Sequence, residues 1–405
     1  MNQKTTAAPA DATTEPVSSH GPMTGVRVID MTSVGMGPFA TQILGDMGAE
    51  VLKVEPPAGD IFRFTAPTRN DGMSAVFLNL NRNKVSLTLD AKEPADRARL
   101  LELIEGADVF VSNIRPEALK RLGLDAASLM ARNPRLIHCA AVGFGQDGPY
   151  AGRPAFDDII QAMSGLAALQ GHGEDAPRYV NTILADKVAG LTLAYAIPMA
   201  LYERERSGRG QAVEVPMFET LAAFALIEHL AGETYAPAVA PMGYPRVLAP
   251  DRRPYRTADG FIAMLPYTDA QWRRFFICAD RPDLAEDARF TTARARTQHY
   301  DALYAELSEI VATRPTSAWL EALKGADIPH SPVATLEDLL VDPHLQATGL
   351  FRRVEHPSEG AITTLAPTVR FERTPASLRH AAPVQNSAPG FEWAPRGRDT
   401  PADHG

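Results

Sequence analysis

The sequence contains too few cysteines for a disulfide framework, and it has no long apolar segment. Only two of its 405 residues are cysteines, Cys139 and Cys278, and their wide separation also argues against a zinc site. No run of ~18 apolar residues is available to span a bilayer, and residues 1–23 lack the apolar core of a secretory signal. We therefore expect a cytoplasmic protein with no membrane partner, whose residues 1–23 form a disordered tail.

A surplus of basic residues is also missing. The formal net charge is -9 and the pI about 5.6, which does not favour binding to nucleic acid. The motifs H-x-x-x-H, H-E-x-x-H and G-x-S-x-G are absent, and His138 lies in an apolar strand where a core role is expected. His172, His330 and His344 fall in predicted loops. We expect no nucleic-acid partner, no metal and no serine-hydrolase chemistry.

The pattern that is present is an alternation of β-rich and helical segments. "VRVIDM", "EVLKVEPP", "VSLTLD", "DVFVSN" and "LIHCAAVGFG" read as strands, and helical segments separate most of them. Such βαβ units predict parallel strands with right-handed crossovers, hence a doubly wound α/β fold. A chain longer than ~300 residues usually forms more than one domain. We predict a large domain over 24–225, completed by 331–405, and a smaller α+β domain over 226–330.

One acid stands at the start of a long apolar helix. Asp186 in "NTILADKVAGL" suits a helix cap, but its apolar surroundings would make an acid without a role costly to desolvate. Asp157 and Asp158 in "RPAFDDII" also begin a helix, and capping explains at least one of them. From residue type alone both interpretations of Asp186, cap and nucleophile, stay open.

Glycines and basic residues suggest where an anionic ligand would bind. "SVGMGPFA" joins a strand to a helix, where N–H groups can hold a phosphate, but it lacks the third glycine of a dinucleotide-binding motif. "VGFGQDGPY" is a second glycine-rich segment, with a plain loop as the alternative. A set of basic residues near strand ends could bind phosphates or form a solvated helix face: Arg82, Lys84, Lys92, Arg115, Lys120 and Arg121.

Several ordered segments together resemble the class III CoA-transferase family, which includes formyl-CoA and carnitine CoA-transferases and α-methylacyl-CoA racemases. They include "GVRVIDMTSVGMGPFATQILGDMGAEVLKVEPPAGD", "NRNKVSLTLDAK", "FDDIIQAMSGL", "ADKVAGL" and "ALYERERSGRGQAVEVPMFET". The resemblance covers residues 25–225, with a looser match in "DPHLQATGLFRRVEHPSEG". It implies a Rossmann-like large domain with a parallel sheet, a small domain joined by linkers, and an interlocked homodimer.

The resemblance also implies a role for Asp186. In the transferases the acid of this segment attacks the donor thioester, and the CoA thiolate then forms an aspartyl-CoA thioester that a free carboxylic acid resolves. Acyl-CoA would be a substrate, and no permanently bound cofactor is implied. Glycine-rich "GFGQDG" could supply oxyanion donors.

Matching the family's segments to this sequence implies a set of CoA-binding residues. They are Gly35, Met36, Leu89, Asp90, Ala91, Lys92, Asn113, Ile114, Arg115, Arg121, Pro154, Ala155, Phe156 and Asp157. Formyl-CoA transferase has glutamine at the position of Gly35, arginine at that of Pro56, and a tetraglycine loop that is not found here. Formyl-CoA and oxalate are therefore not expected as substrates.

The racemase branch is the alternative function. It moves an α-proton with a His and Asp pair, and the histidine position is occupied here by Phe156, which cannot transfer a proton. A silent CoA-binding scaffold is a third possibility. In "GETYAPAVAPMGYPRVLAPDRRPYRTADG", Arg246, Arg252 or Arg253 could pair with a second carboxylate of a dicarboxylic acid, or could simply be surface arginines.

Overall fold

The computed structural model describes residues 21–396 and divides them into two compact units. Unit 1 contains the residues up to 157, 183–217 and those from 349 onward; unit 2 contains 158–182 and 218–348. The predicted small domain of 226–330 is thus shorter than unit 2, which also takes in an earlier segment. Residues 1–20, most of the predicted tail, lie outside the described residues, as do 397–405. At the described end of that tail, Met23 N donates to Met47 O at 2.8 Å.

Unit 1 contains a six-stranded sheet in which every neighbouring pair is parallel, as the βαβ pattern predicted. The order is β3-β2-β1-β4-β5-β6, which is characteristic of doubly wound α/β folds. Its strands are β1 (Arg27–Met31), β2 (Glu50–Glu55), β3 (Lys84–Thr88), β4 (Val109–Ser112), β5 (Ile137–Val142) and β6 (Ala212–Pro216).

Helices connect these strands. They are α1 (Met36–Asp46), α2 (Ala75–Leu80), α3 (Pro94–Glu105), α4 (Pro116–Leu122), α5 (Ala126–Arg132), α6 (Asp157–Met163), which crosses the boundary of unit 1, α7 (Leu166–Gln170), which belongs to unit 2, and α8 (Leu184–Ser207). A 3-10 turn spans Ile61–Phe64. The sequence analysis did not identify α2 and α5, whose six and seven residues are too few to establish a helical period.

The long helix α8 packs against α1 inside unit 1. Its residues 184–207 are long and apolar enough to cross a bilayer, but half of their most apolar window is buried within the protein. Ala189, Leu193 and Ile197 are buried in unit 1, which is the arrangement of a core helix. Four other apolar side chains of α8 form an exposed stripe at helical spacing: Leu191, Tyr195, Met199 and Tyr202.

Charged side chains lie inside the sheet and satisfy one another. Lys53 and Glu55 alternate with Leu52 and Val54 along β2, and all four are buried. Lys53 Nζ lies 2.9 Å from the carboxylate of Asp60, while Glu55 accepts two bonds of 2.7 Å from the guanidinium of Arg63. Buried charges persist only when they are paired in this way.

A segment from near the end of the chain covers the β3 edge of the sheet. Ser86 N donates to Ser387 Oγ at 3.1 Å, and Ala388 N donates to Ser86 O at 2.9 Å. Farther along, Trp393 Nε1 donates to Leu103 O at 2.8 Å. The two bonds at Ser86 satisfy backbone groups that an edge strand would otherwise present to solvent or to another chain, and the bond from Trp393 attaches the same segment to α3. The hairpin β10 (Phe351–His356) and β11 (Gly360–Leu365) precedes this segment in unit 1.

Unit 2 combines helices with a small antiparallel sheet in the order β7-β8-β9. Its strands are β7 (Tyr255–Arg256), β8 (Phe261–Met264) and β9 (His330–Pro332). Its other helices are α9 (Met217–His229), α10 (Pro245–Leu248), α11 (Asp269–Cys278), α12 (Pro282–Ala285), α13 (Ala293–Thr297), α14 (Tyr300–Val311), α15 (Thr316–Gly325), α16 (Leu336–Val341) and α17 (Pro343–Thr348). A second 3-10 turn spans Ala231–Thr234. The core contains stacked and edge-on aromatic rings of Trp272, Phe275, Phe276 and Trp319.

Candidate active site

Asp186 lies in the first turn of α8, but its carboxylate serves a different helix. Its Oδ1 accepts a hydrogen bond of 3.2 Å from Met36 N, the first residue of α1. The backbone N–H of Asp186 itself donates to Asp157 Oδ1 at 3.0 Å. Asp157 therefore takes the capping role at α8, and the carboxylate of Asp186 remains beside the positive end of α1.

Gly35 makes this position of the carboxylate possible. A Cβ atom at residue 35 would lie 2.5 Å from Asp186 Oδ2 and 2.7 Å from its Cγ, closer than atoms can approach. Glycine therefore lets the carboxylate of Asp186 lie against the backbone at residue 35, and any larger residue would force that carboxylate to move. The resemblance assigned Gly35 to CoA binding; its observed contact is with the acid.

Asp186 is buried, and burial changes its acidity. The side chain is 7% exposed, and loss of solvent raises the pKa of its carboxyl to about 6. The negative charge of Asp157 adds to this rise, whereas the hydrogen bond from Met36 N opposes it. At neutral pH the group is therefore mainly an ionised carboxylate that carries few water contacts, as a nucleophile requires.

The backbone that presents Met36 is held by a buried ion pair. Asp60 Oδ1 accepts a bond of 3.1 Å from Val34 N, and Lys53 Nζ donates to Thr32 O at 2.8 Å. Val34 has φ of 70°, a left-handed conformation that a β-branched residue adopts only when its surroundings impose it. Lys53 and Asp60 thus fix the turn that aims the N–H of Met36 at Asp186.

Asn113 holds the same turn from β4. Its Oδ1 accepts from Ser33 N at 3.1 Å and its Nδ2 donates to Ser33 O at 2.8 Å. The sequence analysis expected Asn113 to contact CoA, and the structure shows both ends of its amide engaged with backbone. Its side chain nevertheless lines the cavity described next.

Asp186 lines a cavity of about 680 Å³ within unit 1, at the carboxyl ends of the parallel strands. This is where doubly wound folds bind ligands. Many of the expected CoA-binding residues also line it: Met36, Leu89, Asp90, Ala91, Lys92, Asn113, Ile114, Arg115, Pro154, Ala155 and Phe156. Gly35 and Asp157 do not line the cavity and instead contact Asp186. Arg121 is exposed on α4, outside the lining.

The basic residues separate into two groups. Arg82 and Lys84 lie inside the protein, paired with Asp46 at 2.6 Å and Asp30 at 2.9 Å, so their charges are already neutralised. Lys92 and Arg115 are exposed at the cavity, where their charges can meet an anionic ligand.

A third cation at the cavity was missed by the sequence analysis. Arg153 lines it, with its Cζ 4.6 Å from the centre of the Tyr150 ring. In sequence, Arg153 lies between the glycine-rich segment and the expected ligand segment at 154–157, and this position was the signal that could have identified it. The sequence analysis also missed Lys53 and Asp60. Lys53 and Glu55 lie within a strand of a buried sheet, and charged residues at such positions indicate buried partners.

The second glycine-rich segment approaches the ligand segment closely. A Cβ at Gly143 would lie 2.5 Å from Ala155 Cβ, and both residues line the cavity. His138, by contrast, is buried with its Nε2 3.1 Å from Leu124 O, the core role predicted for it. Within residues 21–396 no group of three or more His, Cys, Asp or Glu side chains is arranged to hold a metal ion.

Comparison with known proteins gives a consistent result over most of the chain. The model of CoA-transferase family III matches residues 23–387. An acetyl-CoA:oxalate CoA-transferase from Acetobacter aceti is 36% identical, over 83% of this chain and 87% of that protein. A succinate–glutarate CoA-transferase from Agrobacterium fabrum is 33% identical, over 89% and 92%. The crystal structure of a CAIB/BAIF family protein from Brucella suis superposes with a TM-score of 0.77 at 30% identity, covering 91% of this chain and 98% of that one.

Proposed function

Because this chain belongs to CoA-transferase family III, we propose that it moves CoA from an acyl-CoA to a free carboxylic acid through a covalent thioester on Asp186. The observation that carries this proposal is the buried carboxylate of Asp186, held against Gly35 and Met36 at the wall of a ligand-sized cavity.

The chemistry proceeds without water or net proton transfer. A carboxylate oxygen of Asp186 attacks the thioester carbonyl carbon, the C–S bond breaks, and a mixed anhydride and CoA thiolate result. The thiolate attacks the Asp186 carbonyl carbon, which releases the donor acid and leaves aspartyl-CoA. The incoming carboxylate repeats both steps in reverse, so the new acyl-CoA leaves and Asp186 is regenerated.

The surroundings of Asp186 suit these steps. Only 7% of the side chain is exposed, which limits hydrolysis of the anhydride. The N–H of Met36 donates to the carboxylate and can donate to the oxyanion that forms on it. Backbone N–H groups near Gly143 are the proposed donors for the oxyanion on the donor acyl group.

We assign CoA to the cavity of unit 1. The exposed cations at its wall, Lys92, Arg115 and Arg153, are suited to the phosphates. Leu89, Ala91 and Ile114 offer apolar surface to the rest of the molecule. Because Arg121 lies outside the cavity lining, we propose that it contacts only the outermost phosphate of CoA.

The intermediate can be trapped. The enzyme would be mixed with a panel of acyl-CoAs, quenched with hydroxylamine and digested, and the peptide containing residue 186 examined by mass spectrometry. A hydroxamate on Asp186 supports the proposal, and Asp186→Asn should abolish both the adduct and transfer. Asp158→Asn, the same change at an exposed acid next to Asp157, is the matched control. The acceptor acids used to measure transfer should include oxalate and glutarate, which appear in the names of relatives.

The racemase alternative makes a different prediction. It requires deuterium uptake at the α-carbon of a 2-methylacyl-CoA in heavy water without any acceptor acid. Phe156 lies at the cavity wall with no group able to carry that proton, so we expect no uptake. Deuterium uptake without CoA transfer would contradict the proposal and support the racemase function instead.

We further propose that two copies associate as an interlocked homodimer. The exposed stripe on α8, from Leu191 to Tyr202, supports an apolar interface, because monomeric surfaces rarely leave such stripes uncovered. Light scattering should give about twice the chain mass of 43.8 kDa. Met199→Arg should shift this toward the monomer; a monomeric mass for the unaltered protein contradicts the proposal. A reducing cytoplasmic location is also proposed, with free thiols at Cys139 and Cys278 in its support.

A further inference from the structure

Unit 2 contains two arginines beside two buried tyrosines. Arg246 lies on α10 and Arg252 follows it, while Tyr255 begins β7 and Tyr304 lies on α14. Tyr255 and Tyr304 belong to the same buried core of unit 2. The positive charges of Arg246 and Arg252 oppose the rise in pKa of both tyrosines, so the four groups lie near one another. We call these four residues the Arg246 cluster.

Arg246 is incompletely satisfied. Its Nη1 is buried and has no hydrogen-bond partner within the described part of the chain, and no ion pair to Arg246 occurs there. Its Cζ lies 5.9 Å from the centre of the Tyr267 ring, a contact that leaves the N–H groups unused. A buried guanidinium nitrogen without an acceptor is costly, so the arrangement is suited to an acceptor supplied from outside.

The positive charge of the cluster is not neutralised by the protein. The nearby carboxylate, Asp251, is paired with Arg253 at 3.0 Å. Between residues 21 and 396, Arg252 forms no ion pair either. In a protein of net charge -9 this local excess favours an anion.

The tyrosines supply neutral donors. Both side chains are buried, and burial raises the pKa of Tyr255 and of Tyr304, with the arginines only partly opposing the rise. Both hydroxyls therefore remain protonated at physiological pH. Neither hydroxyl makes a hydrogen bond to any other described residue. Two O–H donors and a planar guanidinium match the two oxygens of a carboxylate.

We propose that the Arg246 cluster is a binding site for the carboxylate of a small organic acid. The inference rests on the proposed function in one respect, since a CoA-transferase of this kind takes up a free acid. A carboxylate is favoured over a phosphate because Tyr255 and Tyr304 belong to the apolar core of unit 2, beside which a second negative charge would cost more to desolvate. The ligand is a dicarboxylic acid, one carboxylate of which binds the cluster, and the kinetic measurements below distinguish the acceptor acid from a separate ligand.

Binding is measured first, on the full-length protein without CoA. Succinate, succinamide and inorganic phosphate are titrated calorimetrically into the unaltered protein, Arg246→Gln, Tyr304→Phe and Arg294→Gln. Arg294 is an exposed arginine of α13 in the same unit and serves as the matched control. We expect succinate to bind, succinamide not to bind, and phosphate to bind more weakly. Arg246→Gln should weaken succinate about 10- to 100-fold, the value of a charge-assisted hydrogen bond, and Arg294→Gln should not.

Kinetics then identify the source of the carboxylate. If it belongs to the acceptor, Arg246→Gln raises KM for succinate and leaves kcat and the KM for pentanoate nearly unchanged. If it belongs to a separate ligand, succinate changes the rate of transfer to pentanoate without being converted, and Arg246→Gln removes that effect. Both results support a carboxylate site. Equal succinate binding by the unaltered protein and Arg246→Gln, or equal loss with Arg294→Gln, overturns it.

Failure of the transferase proposal gives a different result. Asp186 lies in unit 1, so the Asp186→Asn variant should still bind succinate although it no longer transfers CoA. If the unaltered protein binds succinate through Arg246 and yet transfers CoA to no acid, that result contradicts the proposed function and still supports this carboxylate site.

Discussion

Replacing Asp186 by asparagine should destroy the activity and stabilise the fold. Burial raises the pKa of Asp186 from 3.8 to about 6, so the folded state holds this proton more tightly than the unfolded chain does. Below pH 4 both states are protonated and the group has no net effect. Between about pH 4 and pH 6 the unfolded chain ionises while the folded state keeps its proton, so the folded state loses stability as pH rises. Above pH 6 this loss is complete, about 3 kcal/mol at ~1.4 kcal/mol per pKa unit. Asparagine keeps an acceptor for Met36 N and avoids that cost.

The test compares thermal unfolding of the two proteins between pH 4 and pH 8. Asp186→Asn should unfold several degrees higher at pH 8, and the difference should disappear toward pH 4. Asp71→Asn, at an exposed turn, should show no such pH-dependent gain. Two results would contradict this reasoning: Asp186→Asn is no more stable than the unaltered protein at pH 8, or its gain in stability does not depend on pH. Either result would show that burial does not destabilise the ionised carboxylate, and the argument for a sheltered nucleophile would be lost.

Four further outcomes follow from the same geometry. In the unaltered enzyme, kcat/KM should fall about tenfold per pH unit below pH 6, because only ionised Asp186 attacks; a flat profile from pH 5 to 8 would contradict this. Gly35→Ala should lower kcat about 10- to 100-fold with an unchanged circular dichroism spectrum, because its Cβ would lie 2.5 Å from Asp186 Oδ2. Asp60→Asn should cost about 3 kcal/mol of stability by leaving Lys53 buried without its counter-ion, and unchanged thermal unfolding would argue against that pair. Trp393→Ala removes the 2.8 Å bond that attaches the covering segment to Leu103 O on α3; loosening of that segment should speed amide exchange at the β3 edge, with exchange in unit 2 as the internal reference.

Much of the sheet was predictable because its strands are apolar runs separated by helical segments. Parallel pairing followed from the βαβ pattern, and the ends of the observed strands lie within three residues of the expected ones. The order of the strands was not predictable from periodicity, which carries no information on which strands are neighbours. The assignment of residues 158–182 to unit 2 depends on tertiary contacts in the same way.

The candidate site was predicted in part. An acid entering an apolar helix indicated Asp186, and its burial agrees with that reasoning. The role of Asp157 as the cap of α8 could not be assigned, since three acids near helix starts were equivalent by residue type. Lys53 and Asp60 act through the backbone of Val34, and a left-handed φ at a valine has no sequence signature. Arg82 and Lys84 were grouped with ligand-binding cations because sequence does not reveal buried partners.

The bond between Ser86 and Ser387 joins residues 301 positions apart, so a ribosome making ~5 to 20 residues per second exposes β3 for roughly 15 to 60 s before its covering segment is synthesised. During that interval the nascent sheet ends in unpaired amides and carbonyls. An unpaired strand edge can pair with another chain, so a circular permutation that translates the covering segment before β3 would shorten the time for which the nascent protein presents that edge.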